Sequence, residues 1–145
     1  MEKNKDIITF TVPGSPQSLK RHRTFRRGDF VGQYDPSKGD KQDFLAKCME
    51  YKPSVPWSGP LRVDLLLFFP RPRSHFRTGK HSDELKPNAP MWHDKNPDRD
   101  NVEKFVCDAL NGIFWSDDRI ICDGVIQKKY SDRPRIEITI ERIEL

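Results

Sequence analysis

Apolar residues in this chain fall into short runs and helical stripes separated by long polar stretches. Ile7-Ile8-Thr9-Phe10-Thr11-Val12 is β-branched and aromatic and stops at Pro13-Gly14, which predicts a strand over 7–12. Val63-Asp64-Leu65-Leu66-Leu67-Phe68-Phe69, closed by Pro70, predicts a well-buried strand over 61–69. The run from Ile120 to Ile126 predicts another strand. After a turn at Ser131-Asp132-Arg133-Pro134, residues 136–143 alternate strictly between apolar and polar, the mark of a half-exposed final strand.

Two segments carry helical spacing instead. Phe44, Leu45, Cys48 and Met49 form one stripe, with Ser37 or Asp40 as its cap and Pro53 as its stop. Val102, Phe105, Val106, Ala109, Leu110 and Ile113 form a second and stronger one. Asp100 stands three residues before Glu103, a capping box with Asp in place of Ser or Thr, and Asn111-Gly112 supplies the stop. Residues 15–40 and 71–96 show no periodicity and are expected to be loops. The order β-α-β-α-β-β predicts an α+β fold, a small mixed sheet with two helices packed on one face, in a single domain over 1–145.

Composition narrows the function. A third of the residues are charged and 34% are hydrophobic. No apolar run reaches the roughly 18–20 residues of a membrane span, and residues 1–6 lack an apolar leader, so a cytoplasmic protein is expected. Cys48, Cys107 and Cys122 form no CxxC pair, which argues against a disulfide framework or zinc knuckle and for buried thiols. The four histidines show neither HxH nor HExxH spacing. Residues 1–93 carry 17 Lys/Arg against 10 Asp/Glu, while residues 94–145 carry 9 against 12. That division suits a protein that holds a polyanion and concentrates a metal beside it.

The acidic residues are clustered. Asp98 and Asp100 lie one residue apart before the second helix, Asn101 and Lys104 follow, and Asp117-Asp118 lies just beyond it. Lys104 is four residues from both Asp100 and Asp108, so the three share a polar stripe, with Asp108 expected as the lysine's partner. Such crowding of like charge needs a cation, and oxygen ligands select a hard one such as Mg²⁺. Phosphodiester hydrolysis uses these parts: carboxylates for the metal, and a lysine for charge on the phosphate or leaving oxygen. Asp117 is read as a supporting residue or a cap, and Phe114 and Trp115 as core or dimer contacts.

The arrangement Asp98-Arg99-Asp100-Asn101, Lys104, Asp108-Ala109-Leu110, Phe114-Trp115 and Asp117-Asp118 resembles the RusA family of Holliday junction resolvases, small endodeoxyribonucleases common in phages and prophages. Weaker likeness extends to Pro13-Gly14-Ser15-Pro16 and Tyr34-Asp35-Pro36. The resemblance implies Asp98, Asp100 and Asp118 as metal-binding catalytic residues and Lys104 as the catalytic lysine. It also implies a Mg²⁺- or Mn²⁺-dependent homodimer that places paired nicks across a four-way DNA junction in recombination and repair. The segment 71–96 is longer than in compact members of the family.

Two basic clusters supply a reason for DNA to arrive. Lys20, Arg21, Arg23, Arg26 and Arg27 are interleaved with His22 and Phe25, and Arg71, Arg73 and Arg77 with His75 and Phe76. Both suit phosphate tracking with some stacking, and neither offers a base-reading code. The competing reading is a non-catalytic, structure-selective DNA-binding protein whose acidic cluster serves only as a helix cap and a metal-stabilised element of the fold.

Overall fold

In the computed structural model, which describes residues 6–144, the apolar runs become one sheet. The N-terminal residues 1–5, most of the stretch read as lacking a leader, lie outside the described residues. The elements are β1 (Ile7–Pro13), β2 (Arg23–Arg27), β3 (Phe30–Tyr34), α1 (Lys38–Cys48), β4 (Leu61–Phe69), α2 (Arg99–Leu110), β5 (Ile121–Asp123), β6 (Ile126–Tyr130) and β7 (Arg135–Arg142). β7 lies between β1 and β4, antiparallel to both, and β5 and β6 run parallel to β4 along its other edge. A parallel neighbour needs a crossover, and α2 is the helix within it.

Alternation decides which face is covered. Leu61, Val63, Leu65, Leu67 and Phe69 of β4 are buried, with the residues between them only partly so. Ile138 stands in register between Phe10 of β1 and Leu65 of β4, and Ile136 between Val12 and Leu67. On this face lie Phe44 and Cys48 of α1 and Val102, Phe105, Val106, Ala109 and Leu110 of α2. Phe44 and Phe105 meet edge to face at 5.7 Å, joining the helices. The result is the expected mixed sheet with both helices on one face. Phe114 and Trp115 are fully buried, so they belong to the core and Trp115 is no surface contact.

Several local expectations change. Residues 15–40 are not a plain loop: β2 and β3 form a hairpin joined by Gly28-Asp29, with Gly28 at φ +58°. A two-residue turn beginning with glycine matches the twist of a hairpin, and Gly-Asp between these segments was the available signal. The Phe25 ring lies across Gly32, where a β-carbon would meet it at 2.6 Å. Residues 71–96 are also tied down, by short 3₁₀ turns at Arg73–His75 and Gly79–His81 and a bridge between Phe76 and Leu85.

The run from Ile120 to Ile126 is two strands rather than one. Gly124, at φ +153°, passes so close to the Val63 carbonyl that a β-carbon would collide with it. There the Asp64 side chain accepts from Val125 N at 2.9 Å, and Leu65 N donates to Val125 O at 2.9 Å. Cys122 consequently faces solvent, while Cys48 is buried and Cys107 partly so. In α1 the cap position is Ser37, but its hydroxyl accepts from Lys20 N at 2.8 Å, tying the basic segment to the helix. Met49 falls outside α1, in the exposed turn Met49–Tyr51.

Candidate active site

Helix α2 begins earlier than a cap at Asp100 implies. Asp98 occupies the N-cap in an extended conformation, and its backbone carbonyl accepts from Asn101 N at 3.1 Å and Val102 N at 3.3 Å. The Asp98 side chain makes no capping hydrogen bond, so the capping box is absent and Asp100 lies inside the first turn. The start is set by tertiary contacts. Lys128 Nζ of β6 donates to the carbonyls of Lys95 and Pro97, each at 2.6 Å. Arg99 Nη1 donates to Ile126 O at 3.3 Å. These bonds hang the first turn of α2 on the edge strand.

Lys104 pairs with Asp100 at 3.8 Å, both side chains being well exposed. Asp108, expected as its partner, instead lies 3.6 Å from Lys41 of α1, which also binds Asp35 at 2.6 Å. The reason is helix packing: α1 brings its own cation to that side of α2. Asp118 accepts from the Trp115 indole at 2.7 Å. Its carboxyl is raised above the ordinary range, chiefly by burial and then by the nearby Asp108 and Asp117 charges, with the indole opposing. Asp117 caps the turn Asp118–Ile120, accepting from Arg119 N at 3.0 Å, which settles it as a cap.

Two cavities flank this turn of helix. Asp98 and Asp100 line one of about 610 Å³ with Lys128 and Trp92. Lys104 and Asp118 line another of about 520 Å³ with Glu103, Cys107, Asp108 and Asp123. The Asp100–Lys104 pair therefore spans the ridge between them. Burial, followed by the charges of Asp118, Glu103 and Asp108, pushes the Cys107 thiol up to about 12, so it is no thiolate nucleophile. Asp123 and Lys128 carry no signal in the sequence, and Glu103 stands out there only as a capping-box residue. A helical wheel places Glu103 one turn from Cys107, but Asp123 and Lys128 reach the site only through strand pairing.

The donor chemistry suits a hard divalent cation. Asp98 is not consumed by capping, Asp100 has only an exposed ion pair, and Asp118 sits in a negative surrounding. Among the described residues, no three acidic, histidine or cysteine side chains are gathered for a metal, and Asp118 lines a different cavity from Asp98 and Asp100.

The basic clusters divide in three dimensions. Arg23, Arg26 and Arg27 ride on the exposed hairpin; Arg26 Nε bonds the Gly28 carbonyl at 3.0 Å, and Arg27 lies over Phe25. Lys20 and Arg21 precede it, with Lys20 3.7 Å from Asp40. Ser18, just before them, shares a depression with Asp98 and Asn101, so the basic segment begins beside the acidic turn. In the second cluster, Arg71 donates to Pro90 O at 2.7 Å and covers Tyr130, and Arg77 pairs with Glu84 at 2.6 Å. Arg73 is exposed.

The span that contains these residues is also the one that other proteins share. The profile of the family described as endodeoxyribonuclease RusA matches residues 13–141. The uncharacterized protein YqaN of Bacillus subtilis (strain 168) is 31% identical over 140 residues, covering 95% of this chain and 98% of that protein. None of the described helices is long and apolar enough to cross a membrane. With its acidic turn, basic hairpin and mixed sheet inside the matched span, the chain belongs to the RusA family of endodeoxyribonucleases.

Proposed function

We propose that this protein is a Mg²⁺-dependent endonuclease that resolves four-way DNA junctions, working as a homodimer that makes paired symmetric nicks in recombination and repair. The observation that carries the reading is the first turn of α2, where a carboxylate at the N-cap is free of capping while Asp100 holds Lys104 at 3.8 Å. Asp98 and Asp100, with Asp118 from across the turn, would hold the Mg²⁺, for which Mn²⁺ could substitute. When bound, the metal would polarise the scissile phosphate and supply hydroxide at neutral pH.

The chain's own residues account for the rest. Lys104 offers a positive charge to the negative charge that develops on the phosphate or leaving oxygen. The positive end of the α2 dipole adds positive potential on the same side. Lys128 fixes the backbone leading into Asp98 through the Pro97 carbonyl. The hairpin arginines follow the DNA backbone, an interaction suited to shape rather than sequence. Twofold substrate symmetry favours a twofold protein. On the sheet face opposite the helices, Thr9, Asp64, Leu66, Glu137 and Thr139 surround a cleft that a partner copy would cover.

In the non-catalytic alternative the acidic cluster is a helix cap and a metal-stabilised fold element; only its capping half is weakened, because Asp98 does not cap through its side chain. The deciding experiment compares cutting of a synthetic four-way junction with cutting of flaps, forks and linear duplex, in EDTA and with Mg²⁺ restored. Junction nicking that vanishes in EDTA and returns with Mg²⁺ is expected. Junction binding without metal-dependent nicking would select the alternative.

A further inference from the structure

Trp92 is the exposed one of three tryptophans: it is 54% exposed, against 6% for Trp57 and none for Trp115. It lines the same cavity as Asp98 and Asp100. Lys129 Nζ lies 4.9 Å from its ring centre, and Lys128 and Arg99 border the same space. Met91 beside it is 60% exposed. An apolar pair is thus presented at the mouth of a charged cavity, against the tendency of such side chains to be covered.

The segment is held firmly. Tyr130 N donates to Met91 O at 2.9 Å, and His93 N donates to Lys128 O at 3.0 Å. Arg71 grips the Pro90 carbonyl at 2.7 Å, and the His93 ring stacks on Phe69 at 3.9 Å. With the backbone pinned on both sides of Trp92, presenting its indole to a flat partner costs little backbone freedom.

We infer that Trp92, backed by Lys129, is a stacking platform for an unstacked nucleobase of the DNA strand entering the Asp98–Asp100 cavity. This rests on the proposed junction-cutting function and adds a reason for its selectivity. The surrounding lysines and arginine favour a polyanionic ligand, and an indole face suits any base. Within continuous duplex both faces of a base are covered by its neighbours. Only a base that has lost a neighbour, as at a branch point, can stack on Trp92.

The test uses the full chain in EDTA, with a four-way junction and a linear duplex of the same sequence, and follows tryptophan emission. Junction binding should quench the wild-type emission, and the quench should disappear in Trp92→Phe. Trp92→Ala should weaken junction binding by about tenfold or more, the usual scale for losing one base–aromatic stack. Trp92→Phe should retain most of the affinity, and duplex binding should be alike in all three proteins. Equal junction affinity for Trp92→Ala and wild type, or unchanged wild-type emission on binding, overturns the platform. Wild-type cutting in Mg²⁺ is measured alongside. If cutting persists while those differences are absent, the platform alone falls; if wild type neither binds nor cuts junctions, the proposed function falls and the platform with it.

Discussion

The ammonium of Lys128 donates to the carbonyl of Pro97 at 2.6 Å, and so a strand residue holds the backbone one step before Asp98. The same ammonium binds Lys95 O at 2.6 Å. Lys128→Met should destabilise the protein by about 1–3 kcal/mol, the range for losing hydrogen bonds from a charged group. It should also cut junction cleavage at limiting Mg²⁺ by about tenfold, with part of the loss recovered at high Mg²⁺ as the loosened Asp98 is captured by mass action. Mg²⁺ titrations of cleavage rate, with thermal melts alongside, check both effects.

Asp98→Asn and Asp100→Asn should each abolish junction cutting while leaving junction binding unchanged or tighter, because an amide removes negative charge facing the phosphates. Gel-shift affinity and cleavage rate, measured on the same junction, separate the two effects. Normal cleavage by Asp100→Asn would show the site to be misassigned.

The different partners of Lys104 and Asp108 make a paired prediction. Lys104 contacts Asp100, whereas Asp108 faces Lys41 of α1. Lys104→Gln should lower kcat by about a hundredfold or more with little change in melting temperature, the scale of losing one charge-stabilising group. Asp108→Asn should leave cleavage nearly intact. Similar losses of kcat in the two variants would restore the partnership expected from spacing alone.

The Asp35–Lys41 pair should govern part of the pH dependence of stability. Lys41, bonded at 2.6 Å, and then Ser37 N–H hold the Asp35 carboxyl below its ordinary 3.8, and Asp35 holds Lys41 above its ordinary 10.5. A depressed carboxyl contributes stability above its unfolded value and loses it as pH falls through the folded one. A raised ammonium contributes below its unfolded value and loses it as pH rises through the folded one. Lys41→Met should therefore melt a few degrees lower than wild type at pH 7. The difference should shrink in strong acid, and melts across pH would show it.

Gly124→Ala should cost about 2–3 kcal/mol, since the position has φ +153° and an added β-carbon meets the Val63 backbone, which cannot rotate away. Urea unfolding measures the loss. A stability equal to wild type would mean that the break between β5 and β6 is not rigid.

Periodicity alone revealed β1, β4, β7 and α2, because each buries one face against the sheet or core and so needs its apolar residues at period 2 or 3.6. It misjudged 120–126, where an apolar run conceals the break at Gly124, since the collision that requires glycine is with β4, distant in sequence. It also missed the β2–β3 hairpin. That ribbon is held by its own aromatic contacts, with Phe25 near Phe30 and Tyr34, rather than by burial in the main core.

For the site, sequence by itself determined the local spacing: that Asp98 and Asp100 stand one residue apart, that Lys104 lies one helical turn from Asp100, and that arginines gather before α1. Those are local facts, set by composition and by the pitch of a helix. Tertiary structure decided the arrangement. The grip of Lys128 and Arg99 puts Asp98 rather than Asp100 at the cap, α1 draws Asp108 to Lys41, and pairing with Lys129 brings Trp92 to the mouth of the cavity. Each joins residues far apart in the chain, and no local spacing encodes a contact whose two halves meet only when the sheet forms.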